Sequence, residues 1–145
     1  MKLIILACSM FLILALPLAA EAQTASRISI TSTLESVRIT RTTRVSYFLL
    51  WNREITPTPL GHAFLTCHRA PLGVWTCNST YTLPYGRLAT MGEAHHFRRY
   101  SLIIVGGTRS KRAVRESAQG YQGVAGTLTT WRIGPGTYRL AFAIQ

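Results

Sequence analysis

Leu102-Ile103-Ile104-Val105-Gly106-Gly107-Thr108 is the stretch from which the fold can be read. Four consecutive branched apolar residues halted by two glycines predict a strand buried on both faces, ending in a bend where no side chain fits. Working outward, the flanking sequence breaks into pieces of strand length. Arg27–Leu34 alternates Ile28 and Ile30 with Ser29 and Thr31, and Val37–Val45 leads into the aromatic run Tyr47–Trp51. Asn52–Leu60, with Pro57 and Pro59, reads as a loop. Gly61–Arg69, Val74–Leu83, Arg87–Ala94 and Arg98–Val105 follow; a seventh strand begins near Tyr121 and an eighth covers Thr137–Ile144. Only a short basic turn is expected near Lys111–Gln119, because helical periodicity is missing elsewhere after the leader. Eight short strands without a helical crossover predict an all-β fold, an eight-stranded antiparallel β-barrel, with a long basic loop between strands six and seven. Closure removes exposed edges and leaves an interior wide enough for side chains or one small ligand.

The chain has 145 residues, enough for one domain. Its 48% hydrophobic and 14% charged composition argues against disorder. Residues 1–22 read as a signal peptide: Lys2, an apolar run Leu3–Leu18, then small residues that allow cleavage after Ala20 or Ala22. The mature domain is then 23–145, secreted to an extracellular or periplasmic compartment. Net charge is +11, and cleavage after Ala22 leaves it unchanged because Lys2 and Glu21 depart together. Such a field attracts anionic surfaces, including phospholipid headgroups and acidic polysaccharide. The arginines are dispersed along the chain rather than gathered in one motif, which does not point to specific nucleic-acid recognition.

Cys8 leaves with the leader, so Cys67 and Cys77 remain in an oxidising compartment and are expected to form a disulfide. Between them, Ala70-Pro71-Leu72-Gly73-Val74 places Pro and Gly where a hairpin turn needs a fixed φ and a left-handed residue. Pairing Ala70 with Val74 sets Cys67 opposite Cys77 on adjacent strands.

Candidate chemistry depends on how the second Pro-x-Gly turn, Pro84-Tyr85-Gly86, closes. If Leu83 pairs with Arg87, then Trp75, Tyr81, Met91, Glu93 and His95 share one face with Cys77 and Ser79. Were that face the lumen, Glu93 would be an acid or base with a raised pKa, and Trp75, Tyr81, Met91 and His95 would line a ligand site. If the turn is a tight two-residue one, the face flips and Leu88, Thr90 and Gly92 point inward, with Glu93 on the surface beside an arginine. His62, His68, His95 and His96 show no metal-ligand spacing, and neither a metal nor a cofactor is expected. Gly106-Gly107-Thr108 lacks the Lys-Ser/Thr of a phosphate loop. Asn78-Ser79-Thr80 matches a glycosylation sequon, although it lies inside a strand.

Tyr81-Thr82-Leu83-Pro84-Tyr85-Gly86-Arg87-Leu88, Gly92, Ile103-Ile104-Val105-Gly106-Gly107-Thr108 and Tyr121-Gln122-Gly123-Val124-Ala125-Gly126 together resemble the allene oxide cyclase and dirigent superfamily. In its secreted members a glycine-ended apolar strand likewise runs into a tyrosine and a small-residue segment. The resemblance extends back to Leu60-Gly61. It implies a barrel that binds a small hydrophobic ligand, guides its cyclisation, isomerisation or coupling, and associates as a trimer or dimer. Strand eight offers one bulky face for the lumen, Tyr138, Leu140, Phe142 and Ile144, and one smooth face for a subunit contact, Ala141 and Ala143. Two departures stand beside it. Twelve residues separate Thr108 from Tyr121, more than the family pattern has, and they include Arg109, Lys111, Arg112 and Arg115, expected to project from the rim and meet anionic surfaces. The first strand also lacks the family cyclases' glutamate and asparagine, so no catalytic residue transfers there. A second class of function follows from the charge, a non-enzymatic cationic envelope or extracellular protein. An open aromatic lumen would favour the first, a lumen filled by side chains the second.

Overall fold

Alternation of inward and outward side chains organises the computed structural model, which describes residues 26–145. The strands are β1 (Ser26–Ile39), β2 (Thr43–Trp51), β3 (Gly61–Arg69), β4 (Trp75–Leu83), β5 (Gly86–Ala94), β6 (Arg99–Gly107), β7 (Gly126–Gly134) and β8 (Thr137–Ile144), with one short helix, α1 (Lys111–Arg115). Each strand pairs antiparallel with the next, and β8 returns to β1, so the sheet closes as a barrel. The expected fold is the observed one. The signal peptide expected at residues 1–22 lies outside the described residues.

β6 is buried on one face, not on both as its apolar run predicts. Leu102 and Ile104 are 1% and 2% exposed, but Ile103 and Val105 are 61% and 54% exposed. A closed antiparallel barrel gives each strand a single interior face, and among the described residues no helical layer covers the outside, so a continuous apolar run is buried only at alternate positions. The register then shifts between Ala89 and Thr90 of β5, leaving Val105 without a partner and turning Gly107, opposite Leu88, to the interior.

Other boundaries move for local reasons. β1 continues past Leu34 through a bulge to Ile39, and the turn into β2 falls at residues 40–42. There the Thr40 hydroxyl accepts the Thr43 N–H at 3.0 Å, and the Thr40 N–H donates to the Thr43 carbonyl at 2.8 Å. β7 begins at Gly126 rather than Tyr121, because Gly120 and Gly123 take left-handed φ values of 63° and 72° and hold that segment in turns.

The basic loop does not project. Ser110 caps α1 by accepting the Ala113 N–H at 3.1 Å and donates its own hydroxyl to the Pro84 carbonyl at 2.8 Å. Ala113 is fully buried, and the Ser110 N–H donates to the Tyr85 carbonyl at 3.0 Å. The insertion therefore folds back onto the β4–β5 turn.

Cys67 lies opposite Cys77 in the β3–β4 register, and their sulfurs are bonded inside the barrel. The Ala70 N–H to Val74 carbonyl bond at 2.7 Å closes the hairpin as its Pro-x-Gly sequence requires. By loop entropy the bridge contributes roughly 3 kcal/mol. Replacing both cysteines with alanine should lower the melting temperature by roughly 10 °C, and the native protein should show no titratable thiol before reduction. Free thiols at Cys67 and Cys77 in the native protein would overturn the pairing.

Candidate functional site

Closure turns one face of every strand toward a common interior. Its apolar part includes Leu50, Leu65, Leu88, Leu102, Leu128, Leu140 and Phe142, all at most 3% exposed. Through the middle runs a polar aromatic belt. Tyr81, Tyr100 and Tyr138 enter from β4, β6 and β8 and are 3%, 8% and 7% exposed. Tyr81 stands edge-on to Phe142 with centroids 5.2 Å apart, and Tyr138 edge-on to Phe48 at 5.8 Å. The Ser79 hydroxyl donates to the Tyr81 phenol oxygen at 3.1 Å and is itself bonded to Thr90. Burial pushes the Tyr81 phenol up to about 12, partly offset by the Ser79 and Thr90 hydroxyls, and burial raises Tyr100 further still. The Ser46 and Thr130 hydroxyls and Arg44 Nε are buried without a hydrogen-bond partner. Beside Thr130 the interior leaves a cavity of about 10 Å³. That is the size of one water molecule, not of an organic ring.

The mouth at the β1–β2 hairpin end is closed by stacking. Arg44 places its guanidinium 4.1 Å from the Phe97 ring centre, and Phe97 packs against Trp75 and Tyr100 at 5.7 and 5.9 Å. No motif in the sequence marks Arg44, Tyr100, Ser46 or Thr130, whereas Tyr138 belongs to the bulky face expected of strand eight. The available signal was period two: Arg44 falls in step with Ser46, Phe48 and Leu50, and Tyr100 with Leu102 and Ile104.

The candidate residues are not brought together on one face. The β4–β5 turn is the tight form, with Leu83 opposite Gly86, Tyr81 opposite Leu88, Ser79 opposite Thr90 and Cys77 opposite Gly92. The arrangement built on a Leu83–Arg87 pair is thereby corrected. Tyr81 is interior and Trp75 sits half-buried at the mouth, while Met91, Glu93 and His95 are exposed on the outside. Of the loop residues, Arg109, Lys111, Arg112 and Arg115 are all exposed. Arg112 Nε is 3.1 Å from Glu116 Oε1, and the Tyr85 hydroxyl donates to Glu116 Oε2 at 2.6 Å. That phenol, then the guanidinium, holds the Glu116 carboxyl below the usual range.

The larger concavities lie outside. One, about 370 Å³, is lined by Ser36, Val37, Arg38, Val45, Tyr47 and Phe64. Phe64 is 50% exposed and stacks against Tyr47 at 4.9 Å. A second, about 360 Å³, runs over the small residues Ser29, Thr127, Thr129, Ala141 and Ala143 beside Arg27. Strand eight thus turns its bulky set inward and leaves its alanines on the outer wall.

No family model and no curated protein matches the sequence. Among solved structures the fold is similar to a pyocyanin demethylase, with a TM-score of 0.64 and 13% identity over 83% of this chain and 100% of that one. The likeness fits the barrel class and carries the fold alone; the resemblance to allene oxide cyclases and dirigent proteins reaches no further than that class.

Proposed function

We propose that this chain is a rigid cationic barrel of an extracellular or periplasmic compartment that binds anionic surfaces on its outside. The observation that carries the reading is unbalanced charge. Of 16 Lys and Arg and five carboxylates in the chain, Lys2 and Glu21 lie outside the described residues, leaving 15 against four. Among those residues only Arg112 and Glu116 form an ion pair. The other basic groups keep their field for an external partner. The filled interior supports the same reading, since a ring-sized ligand would have to displace Phe48 or a belt tyrosine.

A second reading has its own support. The groove of Val45, Tyr47 and Phe64 offers an aromatic wall beside the Arg38 guanidinium, suited to a small hydrophobic ligand bearing an acidic group. Here the family-implied ligand would sit on the wall and not in the lumen.

One set of measurements tests both. Retention on immobilised heparin should be strong at low salt and fall steeply as salt rises, whereas binding of an apolar fluorescent dye should survive salt and weaken several-fold in Phe64→Ala. Absence of retention at low salt would sink the anionic reading. Dye binding unchanged by Phe64→Ala but lost in Tyr81→Ala would return the ligand to the interior.

A further inference from the structure

The fold gathers at one end what the sequence disperses. Four hairpins form that end, at residues 40–42, 70–74, 95–98 and 135–136. Backbone bonds join them around the rim: Arg69 N–H to the Thr42 carbonyl at 2.8 Å, Arg132 N–H to the Arg98 carbonyl at 2.8 Å, and Leu34 N–H to the Gly136 carbonyl at 2.7 Å. Every hairpin brings at least one exposed arginine, namely Arg41, Arg69, the pair Arg98 and Arg99, and Arg132. The turns themselves contain no carboxylate; two stand on the strands beside them, Glu35 next to Leu34 and Glu93 two residues before the β5–β6 turn, against five arginines.

The same rim exposes large apolar side chains. Leu72, at the tip of the β3–β4 hairpin, is 95% exposed, Ile39 is 58% and Ile133 is 48% exposed. Apolar tips ringed by arginine suit a surface that is anionic at its face and hydrocarbon just beneath. An acidic polysaccharide would answer the arginines and leave Leu72 without a contact. The stacked plug of Arg44, Phe97 and Trp75 braces this end, so little need be ordered on docking. The opposite end is basic too, but Glu54 and Glu116 lie in its loops, Arg112 is paired with Glu116, and Arg109 Nε is bonded to the Ala118 carbonyl at 2.7 Å.

We propose that the hairpin end docks on an anionic phospholipid bilayer, with Leu72, Ile39 and Ile133 entering the headgroup boundary and the five rim arginines on the phosphates. The proposal rests on the anionic-surface reading and gives it an orientation and a partner. The test uses the mature protein with vesicles of phosphatidylcholine alone or mixed with phosphatidylglycerol. A Leu72→Trp reporter should shift its emission to the blue with mixed vesicles and not with phosphatidylcholine. Substituting Arg69→Gln, Arg98→Gln and Arg132→Gln together should weaken vesicle binding about a hundredfold. Lys111→Gln with Arg115→Gln, at the far end, should change it less than about threefold. An unshifted reporter on bound vesicles, or an equal loss from the far-end substitutions, would overturn the orientation. Heparin retention without vesicle binding would overturn the bilayer and leave the anionic reading standing; loss of both would end both.

Discussion

Gly107→Ala should cost about 3 kcal/mol or more, while Gly106→Ala should stay within about 1 kcal/mol of the parent. A β-carbon built on Gly107 would meet the Tyr121 carbonyl oxygen, and would lie 2.7 Å from Tyr121 Cβ and 2.8 Å from the Arg87 carbonyl oxygen. Backbone presses from two sides, and it is pinned. The Thr108 N–H donates to the Arg87 carbonyl at 2.9 Å, and the Tyr121 N–H donates to the Thr108 carbonyl at 3.2 Å. A methyl group there must separate the β5–β6 pairing from the returning loop. At Gly106 an added β-carbon meets nothing within 4 Å. Urea unfolding of the two variants gives the comparison directly, and equal midpoints would show that the loop yields where the packing says it cannot.

Both glycines look alike in the sequence, and the same is true wherever the reading stopped short. Alternation and Pro-x-Gly chemistry pointed to eight strands and to the disulfide register, the latter because a turn with Pro71 and Gly73 admits few geometries; the turn at residues 40–42 falls inside the span read as strand two, Val37–Val45, and β7 begins at Gly126, five residues past Tyr121. Pro84-Tyr85-Gly86 carries the same letters, yet it closes one residue tighter. Its surroundings decide that: the Tyr85 carbonyl accepts from Ser110, and the Pro84 carbonyl from the Ser110 hydroxyl, residues remote in sequence. One residue of register was enough to send Met91, Glu93 and His95 outside.

The candidate surface was legible only in part. Net charge is a property of composition, but its placement belongs to topology. Arg41, Arg69, Arg98 and Arg132 look scattered until four hairpins of one barrel end bring them round a single rim. Burial was similarly ambiguous in Leu102–Val105, since a continuous apolar run fits a covered strand and a barrel strand equally well. The aromatic groove needed Tyr47 of β2 beside Phe64 of β3, a pairing set by strand register rather than by any local motif.

Alkaline pH should unfold this protein through its interior tyrosines. Tyr81 and Tyr100 hold their protons more tightly folded than unfolded, because burial disfavours the phenolate. The stability they contribute is therefore whole below about pH 10 and lost as pH rises through the folded value, about 12 for Tyr81. For Tyr81 that span corresponds to about 3 kcal/mol, and Tyr100 adds to it. Apart from the other four tyrosines, few groups obscure the window. The described chain contains one lysine, Lys111, its cysteines are bonded, and arginine keeps its proton. Denaturant unfolding as a function of pH should show a steep fall in stability between about pH 10 and 12, with tyrosinate absorbance from the interior phenols rising only as near-ultraviolet dichroism is lost. Tyr81→Phe should flatten that fall by about one proton, at a cost near neutral pH of about 1 kcal/mol for the bond the Ser79 hydroxyl loses. Ionisation of all six tyrosines with the dichroism intact would mean that water reaches the belt, and that the interior is more open than its cavity of about 10 Å³ implies.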